Sequence, residues 1–167
     1  NIGSNLKSKY GNRLDNINKA ILFLKKEDIK IIKKSYLYET PSYPNNDCPK
    51  FINLCVSISF VGEPLKLLNI IHGIEKKMER IRDVKNEPRT CDIDIIDFNS
   101  EIVNLENIIL PHKRAHLRNF VLYPLKDIFP NWVHPINNMK IDDLIRKIPS
   151  KLRNEITRLK ESDILAS

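Results

Sequence analysis

The feature that most constrains the fold is a run of alternating apolar and polar residues near the middle of the chain. Apolar side chains occupy every second position from Ile52 to Phe60, and Asn53 lies among the polar residues between them. Side chains of a strand point alternately to opposite faces, so this pattern predicts a strand with one face buried in a core. Asn53 is then on the other face, where its amide can meet a ligand or pair with the backbone.

The segments around this strand predict an α+β domain. Helical spacing predicts helices at about 14–24, from Pro64 onward and at 141–148, and residues 29–38 favour a strand. The resulting (β)αββαβ order predicts a ferredoxin-like two-layer sandwich, an antiparallel sheet with helices mainly on one face, plus a C-terminal extension. We expect one domain over residues 1–148 and a tail over 149–167 that is helical or partly disordered.

Composition restricts the class of protein. A chain of 167 residues is typical of a single domain, and no apolar run of about 18 residues predicts a membrane span. The net charge of +7 favours anionic partners. The three cysteines show no metal-binding spacing, which predicts free thiols and a reducing cytoplasm.

A pair of acidic residues predicts a metal site. Asp92 and Asp94 alternate with Ile93 and Ile95, so on a strand both carboxylates share one face, about 6.5–7 Å apart. Positive charge precedes them at Arg80, Arg82, Lys85 and Arg89. Paired acids beside clustered arginines indicate Mg²⁺ bound together with phosphate, because phosphoryl transfer depends mostly on positioning and charge neutralisation. A solvated strand edge beside a solvated basic face is the simpler alternative.

Glycine-rich nucleotide loops are absent from the sequence. Its four glycines, at positions 3, 11, 62 and 73, form neither G-x-x-x-x-G-K-[ST] nor G-x-G-x-x-G. If the chain binds ATP, side chains and metal must therefore hold the phosphates, and arginine suits this because its planar fork binds phosphate oxygens in pairs.

Several short motifs follow one another along the chain. In order, they are Gly3-Ser4-Asn5, Tyr38-Glu39-Thr40-Pro41, Phe51-Ile52-Asn53, Ile74-Glu75, Arg80-Ile81-Arg82, Pro88-Arg89-Thr90, Asp92-Ile93-Asp94, Pro111-His112 and Arg118-Asn119-Phe120. This series resembles one enzyme family, the 6-hydroxymethyl-7,8-dihydropterin pyrophosphokinases of folate biosynthesis. The resemblance implies an ATP- and Mg²⁺-dependent cytoplasmic enzyme with two metal ions. It also implies that the pterin hydroxymethyl oxygen would attack the β-phosphorus of ATP and that AMP would leave.

The resemblance also implies a role for individual residues. Asp92 and Asp94 would bind the metal, and with Arg80 and Arg89 they would form the catalytic group. The pterin would be bound by Thr40, Pro41, Ser42, Phe51, Asn53 and Phe120, with the two phenylalanines on its faces. The nucleotide would be bound by His72, Glu75, Arg82, Lys85, Ile95, His112 and Arg118.

Some readings remain open from the sequence. The family's basic loop carries a tryptophan where this chain has Asn86-Glu87, so a catalytically impaired member with a structural role is one alternative. A basic ferredoxin-like RNA-binding module is another, although no RNP1-type aromatic run occurs. Phe51 and Phe120 are also common core residues, and His116 and His134 are interpreted as surface residues. The chain could be fused or bound to dihydropteroate synthase or another folate-pathway domain.

Overall fold

The structure is a computed structural model that describes residues 1–42, 47–79 and 89–160. The strands are β1 (Ile2–Ser4), β2 (Lys30–Lys34), β3 (Tyr38–Thr40), β4 (Phe51–Leu54), β5 (Val56–Ser59), β6 (Asp92–Ile93), β7 (Val103–Leu105), β8 (Ile108–Leu110) and β9 (Thr157–Arg158). The helices are α1 (Arg13–Lys26), α2 (Pro64–Lys77), α3 (Asn119–Ile128), α4 (Ile141–Lys147) and α5 (Ser150–Asn154), with a 3₁₀ turn at Ala115–Leu117.

The central sheet has the strand order β6-β1-β4-β3-β9, and every neighbouring pair is antiparallel. The predicted antiparallel sheet with packed helices is therefore confirmed. The strand predicted over 52–60 is divided at Cys55, where the backbone exchanges hydrogen bonds with Ser35. The Cys55 nitrogen donates to Ser35 Oγ at 2.9 Å, and the Ser35 nitrogen donates to the Cys55 carbonyl at 2.9 Å. Beyond this point β5 leaves the central sheet and pairs with β2.

Helices α1 and α2 cover one face of the sheet. Asn12 caps α1 by accepting hydrogen bonds from the backbone nitrogens of Leu14 and Asp15, and the Asp15 carboxylate completes a capping box. The apolar sides of both helices pack with Ile2 and Leu54 in a first core. Because Asn53 lies between the buried residues of β4, this core fixes which face of the strand receives the amide.

A second core lies on the opposite face of the sheet. Helices α3 and α4 contribute Val121, Leu122, Ile141 and Leu144, and Cys55 and Ile96 join them. The expectation of helices mainly on one face therefore describes only α1 and α2. The difference has a physical reason: α3 and α4 are short amphipathic helices, and each must bury its apolar side against another element.

The C-terminal segment packs on the domain. Leu152 of α5 contacts the second core, and β9 pairs with β3, where the Leu159 nitrogen donates to the Leu37 carbonyl at 2.9 Å. Strands β7 and β8 form a hairpin that was not among the predicted elements. Within the described ranges, no helix is long and apolar enough to cross a membrane.

Candidate active site

One row of cross-strand neighbours connects the predicted metal and pterin residues. Asp92 pairs with Gly3, Gly3 pairs with Asn53, and Asn53 pairs with Tyr38. Directly opposed residues in an antiparallel sheet point to the same face, so Asp92 and Asn53 share one face. The next row, Ile93, Ile2 and Leu54, points into the first core. The candidate site therefore lies on the sheet face that also carries α3.

Asp92 is paired with an arginine that also lies over an aromatic ring. Arg89 Nε is 3.5 Å from Asp92 Oδ2, and the Arg89 guanidinium carbon is 5.5 Å from the centre of the Phe51 ring. These distances are within the range of a charge pair and a cation–π contact. The side chains of Arg89 and Asp92 keep 25% and 21% of their surface exposed, so both remain accessible to a ligand.

Asp94 has a matching arrangement with residues from a different segment. Arg118 Nη1 is 3.4 Å from Asp94 Oδ2, and the Arg118 guanidinium carbon is 5.3 Å from the centre of the Phe120 ring. Arg118 immediately precedes α3, whose first turn carries Phe120. Burial lowers the pKa of the Arg118 guanidinium, and the charge of Asp94 opposes this shift.

His112 approaches the same carboxylate. Its Nε2 is 3.9 Å from Asp94 Oδ2, and its Nδ1 accepts a hydrogen bond from the Arg114 nitrogen at 3.2 Å. With Nδ1 acting as an acceptor, the ring proton is assigned to Nε2, the nitrogen nearer Asp94. Burial lowers the pKa of His112, while Asp94 acts in the opposite direction. The imidazole is thus suited to donate one hydrogen bond while remaining neutral.

Two of the predicted pterin residues, Asn53 and Thr40, form a buried hydrogen bond. Asn53 is 3% exposed, and its Nδ2 donates to Thr40 Oγ1 at 3.2 Å. A Cβ atom at Gly3 would lie only 3.0 Å from Asn53 Oδ1, so glycine allows this close approach without a shift of the amide. Ser42 is buried at 3% exposure and Pro41 is half-buried in the same connection after β3.

Three residues expected on the nucleotide side occupy different environments. Glu75 is 1% exposed, and its Oε1 accepts a hydrogen bond from the Ile93 nitrogen at 2.8 Å. His72 is exposed on α2, and Ile95 is half-buried against the first core. Glu75 therefore supports β6 from behind the acidic pair. The predicted roles of Arg80, Arg82 and Lys85 fall on residues outside the described ranges.

The donor atoms around the acidic pair fit a metal that takes most of its ligands from elsewhere. In the described part of the chain, no group of three or more His, Cys, Asp or Glu side chains is arranged to hold a metal ion. Asp92 and Asp94 offer carboxylate oxygens on a partly exposed face. Mg²⁺ typically binds through one or two carboxylates together with phosphate oxygens and water, so two donors suffice when a nucleotide is present.

Two polar residues are buried, which the sequence did not indicate. Asn5, quoted only as part of a turn motif, is 1% exposed and bonds to Arg89. The sequence signal for this role was the place of Asn5 directly after a strand, because an asparagine there can form hydrogen bonds to neighbouring backbone groups. His134 is 4% exposed, with its Nδ1 accepting from the Ile136 nitrogen at 3.2 Å, so its interpretation as a surface residue is wrong.

Comparison with known proteins identifies the family. Residues 1–130 match the family described as 7,8-dihydro-6-hydroxymethylpterin-pyrophosphokinase (HPPK). The chain is 36% identical over 124 residues to the 2-amino-4-hydroxy-6-hydroxymethyldihydropteridine pyrophosphokinase of Bacillus subtilis, with 74% of each protein covered. It is 37% identical over 147 residues to the Folic acid synthesis protein fol1 of Pneumocystis carinii. This alignment covers 88% of this chain and 19% of the fungal protein.

A solved structure shares the fold. The crystal structure of a Plasmodium falciparum HPPK-DHPS matches with a TM-score of 0.68 at 20% identity, covering 94% of this chain and 45% of that one. The chain spans 19% of the length of the fungal relative, about a fifth, and less than half of the solved chain. Since the family match extends over most of the sequence and the bacterial relative is covered along three quarters of its length, this chain belongs to the 7,8-dihydro-6-hydroxymethylpterin pyrophosphokinase family.

Proposed function

We propose that this chain transfers the pyrophosphoryl group of ATP to the hydroxymethyl group of 6-hydroxymethyl-7,8-dihydropterin and releases AMP, a step of folate biosynthesis. Family membership supports this class of reaction. The observation that carries the proposal is the row Asp92, Gly3 and Asn53 on one sheet face. Two strand spacings, about 10 Å in total, separate the acidic pair from the buried amide, so a pterin and a triphosphate can lie side by side.

At the pterin end, Asn53 and the backbone of Thr40 to Ser42 would read the hydrogen-bonding edge of the ring. The hydrogen bond between Asn53 and Thr40 supports this role, because it fixes the amide orientation before a ligand arrives. Phe51 and Phe120 would stack on the two ring faces. Each lies under an arginine that also contacts the acidic pair, so ring and phosphate contacts are supplied by neighbouring side chains.

At the phosphate end, Asp92 and Asp94 would hold two Mg²⁺ ions, which would supply charge neutralisation on the phosphate oxygens when bound. Arg89 would stabilise charge on the transferring group, and Arg118 and His112 would contact the nucleotide beside Asp94. We assign Arg80, Arg82 and Lys85 to the same cationic group because they match the family's motifs. The described residues alone bring two arginines and a histidine to the carboxylates.

The reaction balances as a single displacement. The hydroxymethyl oxygen of the pterin forms a bond to the β-phosphorus, the bond from that phosphorus to the α,β-bridging oxygen breaks, and AMP leaves with the bridging oxygen. The hydroxyl proton passes to solvent. The protein's contribution is to hold both substrates in line and to compensate the negative charge.

The finer architecture belongs to the same proposal. We propose that the four-strand order β6-β1-β4-β3 with α1 and α2 represents a ferredoxin-like sandwich, to which α3, α4 and β9 are added. The domain would span residues 1–148 with 149–167 as its tail. A cytoplasmic location is consistent with three free thiols among the described residues. A fused or bound folate-pathway domain is supported by the HPPK-DHPS neighbour.

A direct assay tests the function. The purified chain is incubated with ATP, MgCl₂ and the dihydropterin, and AMP is quantified by chromatography. We expect one AMP per pterin consumed and no product when the pterin or Mg²⁺ is omitted. Absence of AMP at high enzyme concentration would contradict the proposal and favour an impaired family member, and strong binding to single-stranded RNA would favour the binding module instead.

A further inference from the structure

Asn5 connects two segments that carry predicted site residues. It lies directly after β1, and its side chain is almost completely buried. Its Oδ1 accepts a hydrogen bond from the Arg89 nitrogen at 2.7 Å, and its own backbone nitrogen donates to the Arg89 carbonyl at 3.1 Å. The backbone of Arg89 is therefore held at both its donor and its acceptor by a single residue.

The other half of the Asn5 amide binds a different segment. Its Nδ2 donates to the Pro49 carbonyl at 3.1 Å, two residues before Phe51 begins β4. Arg89 and Phe51 are themselves in contact, because the guanidinium lies over the aromatic ring. Asn5 thus fixes the backbone on both sides of one side-chain contact.

We propose that Asn5 is a positioning residue for Arg89 and Phe51. A carboxamide presents one acceptor and two donors, and this site uses the acceptor toward Arg89 and a donor toward Pro49. The proposal rests on the proposed function, since Arg89 and Phe51 are residues of its phosphate and pterin ends. Asn5 itself acts through the backbone and contacts neither substrate.

Substitution of Asn5 should affect catalysis more than folding. Asn5→Ala leaves the Arg89 nitrogen and the Pro49 carbonyl without their side-chain partner, so Arg89 keeps only the backbone bond from residue 5. We expect kcat to fall about tenfold, while the KM for ATP changes less than about threefold, because transition-state contacts depend most strongly on exact placement. Asn5→Asp keeps the acceptor toward Arg89 and should recover part of kcat.

A buried asparagine nearby provides a matched control. Asn16 is 0% exposed, and it bonds to the Leu6 carbonyl at 2.8 Å and to Ser8 Oγ in the turn that follows β1. Asn16→Ala should lower the melting temperature to a similar extent but retain kcat. Equal losses of kcat in Asn5→Ala and Asn16→Ala would overturn the proposal, since both would then reflect general destabilisation.

A double-mutant cycle and hydrogen exchange complete the test. In the Arg89→Ala background, adding Asn5→Ala should change kcat by less than about twofold; a full additive tenfold loss would overturn the proposal. Amide exchange at Arg89 should accelerate at least about tenfold in Asn5→Ala, with exchange at Ile93 unchanged. Unchanged exchange at Arg89 would overturn it. This last readout needs no activity, so it separates failure of the Asn5 role from failure of the proposed reaction.

Discussion

The Glu75 carboxylate accepts a hydrogen bond from the backbone nitrogen of Ile93 at 2.8 Å. Ile93 separates the two aspartates, so this bond connects α2 to the short strand β6, which contains Asp92 and which Asp94 directly follows. Glu75 is 1% exposed, and its support of that strand therefore comes from within the protein interior. This position gives Glu75 a structural link to the acidic pair, which the sequence motif alone could not distinguish from nucleotide contact.

Two substitutions can distinguish a structural role of Glu75 from direct contact with the nucleotide. Glu75→Leu leaves the Ile93 nitrogen without this acceptor and should reduce the free energy of unfolding by about 1–3 kcal/mol, as well as weakening Mg²⁺-dependent nucleotide binding. Glu75→Gln keeps an acceptor oxygen and should bind a non-hydrolysable ATP analogue nearly as the wild type does. Calorimetry measures the nucleotide affinity, and chemical denaturation measures the free energy of unfolding. Equal loss of nucleotide affinity in the two variants would instead indicate direct contact of the carboxylate charge with the nucleotide.

Substitution of Gly3 should weaken pterin binding. The Cβ of Gly3→Ala would approach Asn53 Oδ1 at 3.0 Å, so the buried amide, which donates to Thr40 Oγ1, would have to shift. We expect the dissociation constant for the pterin to rise about tenfold, measured by fluorescence titration. Gly73→Ala is the control, because no atom lies within 4 Å of its added Cβ, and it should stabilise α2 by up to about 1 kcal/mol with unchanged pterin binding. Normal affinity in Gly3→Ala would show that the amide can move.

Asp94 should be required for turnover. Asp94→Asn keeps the shape of the side chain but removes the charge that pairs with Arg118 and would bind the metal. We expect AMP formation to fall at least about a hundredfold, the scale associated with loss of one preorganised electrostatic contact. Asp97→Asn is a nearby control. Asp97 Oδ2 accepts a hydrogen bond from Trp132 Nε1 at 2.8 Å, so this substitution should affect stability only. Retention of a tenth of the wild-type rate by Asp94→Asn would contradict the metal assignment.

Tyr38 should make the fold sensitive to alkaline pH. Its hydroxyl lies 3.1 Å from both oxygens of Asp127, and burial, followed by the Asp127 charge, raises the pKa of Tyr38 well above its ordinary value. A raised pKa in the folded state means that the stability it contributes is complete below about pH 10, the unfolded pKa, and is lost as pH rises above it. We expect the melting temperature of the wild type to fall more steeply above about pH 10 than that of Tyr38→Phe. Parallel curves would contradict this.

Local patterns predicted the elements that carry the candidate site. The alternation through Asn53 fixed its face because a shift of one residue would expose Ile52 and Leu54. The same reasoning placed Asp92 and Asp94 together, and the structure has both partly exposed with Ile93 buried between them. In each case the period of two is a local property that the core reinforces.

Long-range contacts were not predictable in the same way. The division of the strand at Cys55 depends on Ser35, twenty residues earlier, and the buried position of His134 depends on packing with Trp132 and His116. The second core requires α3 and α4 to reach the far face of the sheet, which no periodicity specifies. The two links from Asn5, to Pro49 and Arg89, likewise join segments 44 and 84 residues away in sequence.

Pyrophosphoryl transfer is tested most directly by following an isotopic label. ATP labelled at the β-phosphorus is incubated with the chain, Mg²⁺ and 6-hydroxymethyl-7,8-dihydropterin in a single turnover, and the products are separated. We predict that the label appears in a pterin diphosphate and that the AMP released is unlabelled. Label in ADP, or cleavage of ATP that does not depend on the pterin, would contradict transfer to the hydroxymethyl group.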